Sequence, residues 1–123
     1  MFSIKNNGEI YLNRGDCFKA PLFINMGTDE EPVRVDLIKF PYLEVYMGIM
    51  YPNQSFENAI IRKKFTEKDI NQYGDVVVSI EPEDTINLYP GKYYYEIKAR
   101  IYNDKDGEFV RTIINKNTFM IMM

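Results

Sequence analysis

Chemistry needs side chains that can ionise, attack or ligate, and this chain offers few in usable groupings. Its 123 residues include no histidine and a single cysteine, Cys17. A Ser-His-Asp or Cys-His nucleophile system therefore cannot be built, and neither can a zinc site of histidine and cysteine ligands. A carboxylate pair could still serve a glycosidase-like reaction. Two acidic clusters exist: Asp29-Glu30-Glu31, in an irregular stretch, and Glu81, Glu83 and Asp84, around a short helical turn. Loop solvation and helix-start electrostatics account for both. Asp104-Lys105-Asp106-Gly107 has the middle of a calcium loop, but Tyr102 and Thr112 stand where oxygen ligands are required. A hairpin turn is the better reading there. The seven glycines are scattered singly, so no phosphate-cradling loop is encoded. Arg14-Gly15-Asp16 matches a cell-adhesion tripeptide, yet it stands just before an apolar-alternating run, where the chain has to reverse, and reads as a turn. The expectation is no catalytic residue, no metal and no cofactor.

What remains is the chemistry of contact, and strands must position it. Over residues 92–101, Tyr93, Tyr95, Ile97, Ala99 and Ile101 fall on one face, and Lys92, Tyr94, Glu96, Lys98 and Arg100 on the other. That period of two predicts a long strand with one buried and one wet face. Val76, Val78 and Ile80 alternate in the same way, as do Phe18, Ala20, Leu22 and Ile24, and Leu43, Val45, Met47 and Ile49. Pro21 marks an edge or a bulge in its strand. Turn signals fall between the runs, among them Asn7-Gly8, Tyr73-Gly74-Asp75, Pro90-Gly91 and Asp106-Gly107. A hairpin onto residues 108–114 and a last short strand over 118–122 close the chain. Single helical turns are expected at 66–70 and 82–88. Residues 25–42 are read as a projection or a small extra hairpin. The expected fold is an all-β, immunoglobulin-like antiparallel β-sandwich of about 7–9 strands, one domain over 1–123, with one or two helical turns.

The candidate partner-binding residues follow from that sidedness. Tyr94, Tyr102, Lys98 and Arg100 share the wet face of the long strand, and Tyr46 lies on the wet face of another. Val35, Leu37 and Phe40 are apolar positions in the 25–42 stretch. Met120 and Met122 form a soft, methionine-rich edge near the C terminus. The tyrosines could also serve as platforms for a sugar.

Composition narrows the partners. Net charge is −3 and the longest basic run is Arg62-Lys63-Lys64, read as a solvated strand face, so no nucleic-acid partner is expected. No stretch has the length and apolarity of a membrane span. MFSIKNNGEI turns polar at once, unlike a signal peptide, so synthesis in a cytoplasm is expected. One cysteine allows no internal disulfide.

The order of segments carries a resemblance. GDCFKAPLFI is followed by a strand ending in GIMYPN, then AIIRKKFT, then GDVVVSIEPEDTINLYPGKYYYEIKARI, then a hairpin into FVRTIINKNTFMI. In this order the segments resemble the small immunoglobulin-like β-sandwich of bacteriophage virion proteins, as in the N-terminal domain of the upper baseplate protein of tailed phages. The shared features are the Gly-Asp-x-Phe opening strand, Asp84-Thr85 three residues before Leu88, Pro90-Gly91-Lys92-Tyr93-Tyr94-Tyr95 leading into the longest strand, and Thr112 in the hairpin. Cys17 stands where a threonine is usual, and no glycine precedes the last strand. The resemblance implies a non-enzymatic structural component of a virion, made in the host cytoplasm. An auxiliary capsid, decoration or fibre-adaptor protein is favoured, with a baseplate or tail component as the alternative. Its partners would be major capsid, fibre or baseplate proteins, with many copies or a homo-oligomer in the assembly. A carbohydrate-binding module using the exposed tyrosines is the reading from a different class.

Overall fold

The computed structural model describes residues 2–4, 8–22, 25–27, 32–34, 42–103 and 107–123. Among them run β1 (Phe2–Ile4), β2 (Ile10–Asn13), β3 (Phe18–Leu22), β4 (Asn25–Gly27), β5 (Pro32–Arg34), β6 (Tyr42–Met50), β7 (Ile61–Thr66), β8 (Val76–Ile80), the one-turn helix α1 (Pro82–Thr85), β9 (Gly91–Asn103) and β10 (Gly107–Met122). One sheet has the order β1-β2-β10-β9-β6-β7, and β3 pairs with β8 in a second. The inner faces of both sheets supply one core: Leu12, Val45, Ile49, Tyr95 and Phe119 from the first, and Phe18, Val76 and Ile80 from the second. The order β10-β9-β6-β7 facing β3-β8 is that of the G-F-C-C′ and B-E strands of an immunoglobulin-like sandwich. The all-β sandwich expected from the alternation is the architecture found.

Three details differ from the expectation. Ten strands are described, and β1, β4 and β5 are each only three residues long. One pairing is parallel: β2 runs alongside β10, with Phe119 opposite Ile10 and Met122 opposite Asn13. The closing segment is a single 16-residue strand, β10, not a hairpin arm and a separate short strand. Its register against β9 slips between Thr112 and Ile114 and again between Ile114 and Asn117. Each slip is a bulge, which bends the strand without ending it and masks the period of two in the sequence.

Residues 25–42 do contain a small hairpin, with β4 antiparallel to β5; Val35, Leu37 and Phe40 lie outside the described residues, as do Asp29-Glu30-Glu31 and Asp104-Lys105-Asp106. Both expected helical turns form. Glu67–Asp69 is a 3-10 turn with Thr66 as its cap, and Asp69 returns a hydrogen bond to the Thr66 amide in a capping box. At α1, Pro82 occupies the first turn, and Asp84 accepts a hydrogen bond from the Glu81 amide at 2.8 Å. A third turn, Phe56–Asn58, has no capping hydrogen bond from its Ser55 side chain, so the sequence carried little sign of it.

The motifs that carried the resemblance fall on joints of this scaffold. Thr85, fully buried, accepts a hydrogen bond from the Gly15 amide at 2.9 Å, tying α1 to the turn between β2 and β3. In that turn Asp16 bonds back to the Asn13 carbonyl, and Gly15 has φ +84°. A Cβ there would come within 2.9 Å of the Ile86 side chain, so glycine is demanded twice. Arg14-Gly15-Asp16 is thus a structural turn. Tyr93 donates its hydroxyl to the Tyr89 carbonyl at 2.8 Å, closing the corner into β9 in the manner of a tyrosine corner.

Candidate functional site

The alternation that buries one face of the large sheet leaves the other for contact. On β6, β7 and β9 the register aligns the outward side chains in rows. Tyr46 lies opposite Lys98 on β9 and Lys64 on β7, and Glu44 lies opposite Arg100. Pairs directly opposite are within reach of each other. Lys64 Nζ sits 5.8 Å from the centre of the Tyr46 ring and 3.6 Å from Glu44. The Tyr46 hydroxyl donates to Glu44. That hydrogen bond, then the charges of Lys64 and Arg100, hold the Glu44 carboxyl below its ordinary range. The same bond raises Tyr46.

A glycine shapes the middle of this face. Gly48, the next outward position on β6, has no side chain, and residues 51–60 fold back so that Phe56 covers it. A Cβ on Gly48 would meet the Phe56 ring at 3.0 and 3.1 Å and Ala59 at 3.1 Å. Glycine inside a strand commonly marks such a close approach. Lys98 Nζ lies 4.7 Å from the Phe56 ring centre, a cation–π arrangement. Between Tyr46 and Phe56 opens a groove of about 520 Å³, edged by Arg62, Lys64, Lys98 and Glu57. A hollow of about 350 Å³ continues from it past Arg100 to Val110, which is 60% exposed. Lys98 Nζ stands 3.5 Å from Glu96 and 4.0 Å from Glu57, and Arg62 donates to the Glu57 carbonyl.

The basic run Arg62-Lys63-Lys64 is split by the strand. Arg62 and Lys64 face outward, exposed. Lys63 lies opposite buried Met47 and reaches Asp84 of α1 at 2.8 Å, with both side chains about one-fifth exposed. It therefore ties β7 to α1 and is only partly exposed, a correction to the reading of all three as solvated.

The remaining expected residues are spread over the same sheet. The Tyr94 ring is approached by Lys92 Nζ at 5.2 Å and Lys116 Nζ at 5.1 Å. Lys116 also donates to the carbonyls of Pro52 at 3.3 Å and Gln54 at 2.9 Å, fastening the 51–60 segment to β10. Met120 and Met122, both half-buried, lie opposite Tyr11 and Asn13 of β2, away from the groove. Tyr102 is in β9 opposite Tyr42 and Glu108, and its side chain is outside the described ones. So Tyr46, Lys98 and Arg100 come together, Tyr94 neighbours them along β9, and the methionines do not join them. Sequence reasoning missed Phe56, Arg62 and Lys64. Two signals pointed to them: Gly48, which breaks the row of large outward side chains on β6, and the outward period of two in β7.

Among the described residues, no three histidine, cysteine, aspartate or glutamate side chains are grouped as a metal ion needs, and no helix is long and apolar enough to cross a membrane. Cys17 is exposed and carries a free thiol. No known protein family, curated protein or solved structure matches this chain.

Proposed function

We propose that the chain is a non-enzymatic structural component of a bacteriophage virion, an auxiliary capsid, decoration or fibre-adaptor protein. It docks to other virion proteins through the outer face of its large sheet. The observation that carries this reading is the division of labour just described. Among the residues that resemble the phage sandwich, Asp84, Thr85, Tyr93 and Tyr95 are occupied in holding joints and core. Outward residues of β6, β7 and β9, namely Tyr46, Arg62, Lys64 and Lys98, instead line an aromatic and cationic groove. Aromatic and arginine side chains are the types enriched where proteins meet.

Protein docking is favoured over sugar stacking by the state of the rings. Tyr94 has two ammonium groups near it, and Tyr46 has one and hydrogen-bonds Glu44. A sugar laid on either ring competes with those contacts. A baseplate or tail location uses the same surface, and a particle map separates it from the head.

Mass spectrometry of purified particles from the phage encoding this chain tests the reading. The polypeptide is expected in stoichiometric amounts, in contact with a shell, fibre or baseplate protein. Its absence from particles, while it is present in infected-cell lysate, would reject the proposal.

A further inference from the structure

The groove between Tyr46 and Phe56 has a more specific character than a general docking face. Its walls are two aromatic rings, and four cations, Arg62, Lys64, Lys98 and Arg100, stand along it and its continuation. Three carboxylates, Glu44, Glu57 and Glu96, are interleaved with them. The ion pairs at the groove edge are loose: Lys64–Glu44 spans 3.6 Å, with side chains 52% and 36% exposed, and Lys98–Glu57 spans 4.0 Å, with Glu57 72% exposed. Exposed pairs of this kind contribute little, so an incoming carboxylate exchanges with them at small cost. The chain as a whole is acidic, at −3, and against that background this groove gathers cations that complement an acidic partner.

Resting on the virion reading above, we infer that this groove receives an acidic segment of a partner polypeptide, with one apolar side chain seated between Tyr46 and Phe56 and flanking carboxylates on Arg62, Lys64 and Arg100. Spaced carboxylates fit cations that are themselves interleaved with acids. A polyphosphate backbone, with a charge on every unit, meets Glu44, Glu57 and Glu96 as well, so the observations favour peptide over single-stranded nucleic acid.

The test is a two-dimensional amide NMR titration of the full chain with a synthetic peptide, acetyl-EDEFEDE-amide. A peptide with lysine at every acidic position and a ten-residue oligothymidylate serve as comparisons. The expected result is saturable shifts centred on Tyr46, Gly48, Phe56, Lys64 and Lys98, given by the acidic peptide alone and weakening as salt rises. Arg62→Glu with Lys64→Glu weakens binding by about tenfold or more. Phe56→Ala, which leaves every charge in place, weakens it while the circular dichroism spectrum is unchanged. Equal binding of the lysine peptide, preferential binding of the oligonucleotide, shifts elsewhere, or no shifts at all each overturn the inference. If particles contain the chain but the peptide arm fails, the virion reading stands and this partner chemistry falls. If particles lack the chain but the peptide binds at the groove, the reverse holds.

Discussion

Tyr94 and Tyr95 are neighbours in sequence and inhabit different physical worlds. Tyr95 is 1% exposed, packs edge-on against Phe119 with ring centres 6.3 Å apart, and donates its hydroxyl to the Gly8 carbonyl. Tyr94 faces outward beside Lys92 and Lys116. Strand pleating alone separates them. The inner ring works as a large apolar filler whose one polar atom is satisfied. The outer ring organises lysine side chains on a wet surface. Tyrosine in this chain therefore occupies two environments, one in the core and one on a wet face, and substitutions on the two faces should fail in different ways.

The largest difference is expected at Tyr95. Tyr95→Ala removes a buried ring from the centre of the sandwich and should lower unfolding stability by about 3–5 kcal/mol, read as a fall in the urea midpoint. Alkali probes the same contrast without mutation. Burial pushes the Tyr95 hydroxyl up from 10.0 to about 12. The folded state holds that proton more tightly than the unfolded chain, so its contribution is fully present below pH 10 and is lost as pH rises towards about 12. Tyr95→Phe should lack this component of the alkaline decline. An identical decline in both proteins would show that the inner ring is not set apart from solvent as its burial implies.

How much of this was legible in the sequence differs between the two faces. The inner face was readable because burial imposes a strict period of two: Leu43, Val45, Met47 and Ile49 on β6, and Tyr93, Tyr95, Ile97 and Ala99 on β9, are all in the core. The parallel partnership of β2 with β10 was not readable, since periodicity gives a strand its faces and not its neighbours. The bulges in β10 hid its continuity for the same local reason. On the outer face, Tyr46, Lys98 and Arg100 were found because they share rows of wet positions. Phe56 was not, because it reaches the face from an irregular segment, and only the gap left by Gly48 betrays the contact. Lys63 was misplaced because its neighbours in sequence share its charge but not its side of the strand.

Gly48→Ala sharpens the comparison from the outer side. The added methyl meets Phe56 and Ala59 at 3.0–3.1 Å, so the 51–60 segment must shift, at a cost of about 1–3 kcal/mol. The expected signature is loss of the ring-current shifts that Phe56 imposes on Lys98, with core methyl resonances unmoved. Tyr93→Phe comes next. It deletes the 2.8 Å bond to the Tyr89 carbonyl at the corner and keeps the buried ring, so a loss of about 1 kcal/mol is expected. The change should fall on the 81–90 segment, seen as faster amide exchange there.

The smallest effect on folding is expected at Tyr94. Tyr94→Ala removes a half-exposed ring and its contacts with Lys92 and Lys116, worth about 0.5–1 kcal/mol at such sites. Lys116 keeps its hydrogen bonds to the Pro52 and Gln54 carbonyls, so the 51–60 segment stays fastened and the groove beside it keeps its shape. On the proposed virion function, co-sedimentation with particles should weaken by more than this small stability loss explains. A Tyr94→Ala protein that unfolds as readily as Tyr95→Ala would break the comparison, since the outer ring would then be part of the scaffold. One that is nearly as stable as the parent yet sediments alone would place Tyr94 inside the docking surface, along β9 from Lys98 and Arg100.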